Sequence, residues 1–92
     1  MDLTTDPADL ARIAAESDAR VLAARRQKAA DALRSIGLHA DAHVVTKCSA
    51  ADLRYIHGGV MRHRAACPHG SPEHVAATVA RDALGALWAV LP

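Results

Sequence analysis

Apolar residues recur along the first third of the chain at Leu10, Ile13, Ala14, Val21, Leu22, Ala29, Leu33 and Ile36, the three-and-four spacing of one helix face. Asp6 is placed to cap that helix, Pro7 stands at its first position, and Asp9 follows in the first turn, where acids suit the positive end of the helix dipole. Gly37 supplies the left-handed residue that closes such a helix. The pattern predicts one helix over 6–36. It thins between Ile13 and Val21, where Glu16, Ser17 and Asp18 intervene, so a bend is expected at Ser17 if anywhere.

A second helix is predicted over 49–66. Ser49 with Asp52 makes a capping box with a shorter acid than usual, and Leu53, Ile56, Val60 and Cys67 share a face. Gly58 and Gly59 interrupt it at a cost of about 1 kcal/mol each relative to Ala. Because the apolar phase carries across the pair, close packing against an Ala-rich helix is expected rather than a break. Residues 67–72 (Cys-Pro-His-Gly-Ser-Pro) read as a turn. A third helix over 71–91 opens on Ser71, Pro72 and Glu73 and carries Val75, Val79, Leu84, Leu87, Trp88, Val90 and Leu91. From Ala83 onward it is apolar nearly all round, so that end should be buried or form an interface. Between the first two helices, residues 38–47 lack helical period. Alternation of His39, Asp41 and His43 with Ala40, Ala42 and Val44 predicts an extended link or short strand.

These elements give an all-α fold in a single domain, 1–92. A long N-terminal helix is expected to pack on a two-helix hairpin as a small helical bundle, completed by homodimerisation unless the helix bends or stops early. The dimer follows from scale. A helix over 6–36 is roughly 46 Å long at 1.5 Å per residue, whereas a compact domain of 92 residues has a radius of gyration of about 12 Å. Its companions cannot cover such a rod from end to end.

Composition sharpens this in two ways. Apolar residues make up 51% of the chain, but 22 of the 92 positions are Ala and Phe is absent, so a core must rely on close helix approach rather than bulk. Nine of the eleven basic residues are Arg, which with the Ala bias suggests a high-GC bacterial genome or a phage of one. The formal charge of +1 steers toward neither nucleic acid nor membrane. Charge is nevertheless sorted: residues 1–19 hold Asp2, Asp6, Asp9, Glu16 and Asp18 against Arg12, and residues 20–36 hold Arg20, Arg25, Arg26, Lys28 and Arg34 against Asp31. Two copies laid antiparallel would set acid against base. No leader pattern is visible, and the longest apolar run, Ala83–Leu91, is far short of the ~20 residues that span a bilayer. A cytoplasmic protein with free cysteines, Cys48 and Cys67, is expected.

Candidate chemistry is sparse. With no complete catalytic set, the favoured expectation is a non-enzymatic interaction or regulatory protein that binds another protein, with no cofactor. Its expected interface residues are Leu22, Arg25, Leu33, Leu87, Trp88 and Leu91, chosen from the long helix and the apolar chain end. One alternative is a zinc-stapled domain. His63 and Cys67, spaced i and i+4, share a helix face, and His69 and His74 follow closely enough to complete four ligands across the turn. A second alternative is nucleic-acid binding through Arg54, Arg62 and Arg64, although only Tyr55 offers a nearby stacking platform. His39, Asp41 and His43 would share a face if extended and form a weaker metal candidate. Cys48, beside Lys47 at a helix start, has the setting of an activated thiol but no base within reach, since His57 is about 13 Å along the helix. The six histidines would raise the net charge from +1 toward +7 in mild acid.

Overall fold

The computed structural model describes residues 6–92. Asp2, counted above in the acidic half, lies outside them. Four helices follow one another: α1 (Pro7–Ser35), α2 (His39–Val45), α3 (Ala50–Ala66) and α4 (Pro72–Trp88). The all-α bundle expected from the pattern is present, with α1, α3 and α4 within three residues of their predicted bounds.

Local chemistry sets the ends of the three longer helices. The Asp6 carboxylate accepts the Ala8 N–H at 2.9 Å. The Ser49 hydroxyl accepts the Asp52 N–H while the Asp52 carboxylate accepts the Ser49 N–H, each at 3.3 Å. The Ser71 hydroxyl accepts the His74 N–H at 3.1 Å. At the far end of α1, Gly37 takes φ +81°. Its N–H reaches the Arg34 carbonyl at 3.0 Å and that of Leu38 reaches the Leu33 carbonyl at 2.9 Å, a Schellman closure.

Residues 38–47, expected to be extended, instead contain α2. Ala42 and Val45, three apart, are both fully buried against the bundle, and that contact overrides the polar–apolar alternation. His39 and His43 therefore share a face at i and i+4, and Asp41 stands away from them, so the extended His39/Asp41/His43 set does not form. The turn is fixed from α1. The half-buried Arg26 guanidinium donates to the Val45 carbonyl at 3.1 Å and the Cys48 carbonyl at 3.0 Å, satisfying the end of α2.

The C-terminal part of α1 packs on α4 and α2, and α3 packs on α4 and more lightly on α2. Arg25 of α1 reaches the Ala86 carbonyl at 2.6 Å, and Asp18 and Val21 lie beside Val90, so α1 and α4 run antiparallel. Buried Ala29, Ala30, Ala80 and Ala83 let the helices approach closely, and Leu33, Leu53, Leu84 and Leu87 fill the space between. Gly58 and Gly59 lie within an unbroken α3, but no helix packs on them, contrary to expectation. A Cβ on Gly58 would meet only the Arg62 guanidinium, at 3.5 Å.

α1 runs through Ser17 without a break. Its core contacts begin at Leu22, and residues 6–21 are all exposed. The described chain measures 61 × 24 × 17 Å with a radius of gyration of 16.8 Å, well above the ~12 Å of a compact domain. The N-terminal half of α1 stands clear of the body as an arm.

Candidate interaction surfaces

Pro7 to Val21, the arm, is about 22 Å long at the helical rise. It holds its shape with little tertiary help because Ala is the strongest helix former and because the covered half of α1 nucleates the helix from below. Arg12 lies 3.6 Å from both Asp9 and Glu16, in exposed pairs that contribute little. Against this polar side, Leu10 is 54% exposed, Ile13 50% and Val21 40%. Leu10, Ala14, Ser17, Val21 and Ala24 repeat at four and three residues, the seam of a helix that expects another helix. At the base of the arm a notch of about 300 Å³ opens between Asp18, Val21 and Val90.

A second surface lies where α3 and α4 diverge. Leu53, Arg54, His57, Leu84, Gly85 and Trp88 line a largely apolar groove of about 260 Å³. Ala50 and Ala51 continue it around the Arg54–Trp88 edge. Trp88 is 46% exposed, and a Cβ on Gly85 would meet nothing. Gly85 leaves a gap in the α4 wall between the Leu84 and Trp88 side chains.

Of the six expected interface residues, only Trp88 is exposed. Leu33 and Leu87 are fully buried between α1 and α4 and offer no surface. The sequence shows a stripe but not which part of it the chain itself covers, and those two lie in the covered part. Leu22 and Leu91 pack half-buried against the core, and Arg25 is held by Ala86. Leu10, Ile13 and Val21 carry the uncovered surface; they belonged to the predicted stripe but not to the chosen interface.

The remaining candidates disperse. No group of three or more His, Cys, Asp or Glu among the described residues is arranged to hold a metal ion. His69 and His74 meet edge-on with ring centroids 4.8 Å apart, while the Cys67 thiol donates to the His63 carbonyl at 3.3 Å. His74 is 8% exposed. Burial holds its imidazole below the ordinary range, with added repulsion from Arg64, His69 and Arg81. The arginines of α3 are divided as well. The Arg64 Nε donates to the Thr78 hydroxyl at 2.9 Å, Arg62 lies over Gly58 and Gly59, and Arg54 borders the Trp88 groove. Cys48 is free and 3% exposed, out of reach of a substrate.

Among the described residues, no helix is long and apolar enough to cross a membrane. The class defined here is a small all-α bundle with a projecting helical arm. No known protein family, characterised protein or solved structure matches the chain.

Proposed function

We propose that this chain is a non-enzymatic interaction protein of regulatory type, which acts by binding another protein. One observation carries the reading: half of the longest helix presents Leu10, Ile13 and Val21 to solvent on a preformed rod. The backbone of an ordered helix has little conformational freedom left to lose on binding, so such a rod is suited to pairing with another helix. The exposed indole of Trp88 beside Arg54 supports a second contact surface, because Trp and Arg are enriched at binding hot spots. In this reading the protein works without a metal or cofactor and as a homodimer in the cytoplasm of a bacterium or in a phage-infected cell.

The test is affinity capture from lysate of the cells that make the protein, comparing wild type with Leu10→Asp/Ile13→Asp and with Trp88→Ala. All three sites are exposed, so each variant should melt as wild type does. Loss of a captured protein from either variant is the expected result. Identical capture profiles for all three would refute the proposal.

A further inference from the structure

We infer that the occupant of the arm is a second copy of this chain, paired antiparallel so that Leu10 of each copy sits against Val21 of the other. The inference rests on the interaction reading above and names the partner of the arm. The Trp88 groove, between α3 and α4, is a separate surface.

Three features select a second copy over an unrelated helix. The first is matched length. The uncovered segment ends at Val21, one residue before the core contacts begin at Leu22. In the Leu10–Val21 register, Ser17 of each arm faces Ala14 of the other, and the two free segments cover each other almost completely. The two bodies then sit at opposite ends of the shared rod.

The second is a seat for the tip. Leu10 of the second copy would arrive level with the notch formed by Asp18, Val21 and Val90. That notch is open because α4 ends beside the arm rather than running along it. A leucine entering it would cover Val21 and Val90 together, as a knob enters a hole between facing helices.

The third is charge. Asp9 and Arg20 lie on the same flank of the seam, and antiparallel pairing brings Asp9 of one arm near the level of Arg20 of the other, twice by symmetry. Among the described residues Arg20 is exposed and makes no ion pair, and the one ion pair of Asp9 is an exposed contact to Arg12. A parallel pair would instead place Arg20 beside Arg25 of the copy, charge against like charge. Because Ala14 and Ser17 are small, the arms can approach closely but bury modest area, less than the ~1,600 Å² of a standard interface. A micromolar dimer is therefore expected.

Sedimentation equilibrium of the full chain, from low to high micromolar, should show the mass rising from 9.7 kDa toward twice that value. Leu10→Asp should keep the monomer mass throughout. Asp9→Arg and Arg20→Asp should each weaken the dimer several-fold, and the double variant should restore it. Direction is read by cross-linking in a Cys67→Ser background, with Cys48 protected by burial. Leu10→Cys and Val21→Cys chains, mixed and oxidised, should give the mixed disulfide ahead of either self-disulfide. A monomer at every concentration, or a preference for Leu10→Cys with itself, would overturn the inference. If the chain is monomeric yet arm variants still lose a captured protein, the second copy is excluded and the interaction reading stands. If no dimer forms and neither the arm variant nor Trp88→Ala loses a captured protein, both fall.

Discussion

The two halves of α1 are both rich in alanine and both helical, but differ in charge and in fate. From Leu22 to Ser35 the helix lies against α4 and α2, with Ala29, Ala30 and Leu33 fully buried. From Pro7 to Val21 it is exposed throughout, with Asp18 and Val21 beside Val90 at its base, although Leu10, Ile13 and Val21 are as apolar as the side chains below them. The contrast separates two sources of helix stability. In the lower half the helix is held by tertiary packing. In the upper half it is held by alanine propensity, an Asp6 cap and extension from a formed nucleus. Only the lower half should contribute to holding the body together.

Cutting one leucine in each half gives the largest expected difference. Leu33→Ala leaves a cavity in a fully buried site and should cost about 2–5 kcal/mol. Leu10→Ala, measured by denaturation at concentrations where the chain is monomeric, should change stability by less than about 0.5 kcal/mol. Equal losses would mean that the arm is part of the fold. Next comes Arg26→Ala. It removes two charge-assisted hydrogen bonds to the Val45 and Cys48 carbonyls and should cost about 1.5–3 kcal/mol, with protection from hydrogen exchange lost first in α2. A smaller effect of opposite sign is expected at Gly58. Nothing but a flexible arginine crowds the position, so Gly58→Ala should stabilise α3 by about 0.5–1 kcal/mol.

The smallest effect expected is a pH dependence confined to the body. His74 is held below its ordinary value of 6.5 by burial and by neighbouring cations. The unfolded chain therefore binds more protons at this site between the depressed value and 6.5, and stability should fall as pH drops through that window. Melting temperatures of wild type and His74→Gln, compared from neutral to mildly acidic pH, should converge on acidification. Unchanged separation would remove His74 as the cause.

How much of this was legible in the sequence follows the range of the forces involved. Asp6, Ser49 with Asp52, Ser71 with Pro72, and Gly37 act within four residues of where they stand, and the starts of α1, α3 and α4 and the end of α1 could be read from them. α2 could not. It has no side-chain cap, spans less than two turns, and owes its helix to the burial of Ala42 and Val45 by residues distant in sequence. The stripe on α1 was visible along its whole length, and its excess over what one body can cover was correctly expected. Which residues it left bare was not, because periodicity marks a face without saying how far along it another helix reaches. Periodicity alone therefore marks the buried Leu33 and the bare Leu10 alike. The glycine pair was likewise read as a packing site, when its neighbour is a single arginine side chain of the same helix.

Hydrogen exchange resolved residue by residue along α1, at a concentration where the chain is monomeric, tests the central contrast most directly. Amides beyond Leu22 should exchange only through near-global opening, and those from Leu10 to Arg20 orders of magnitude faster, with a step between them. Uniform protection from Leu10 to Ser35 would contradict the account, because it would show that the arm is already covered within a single chain.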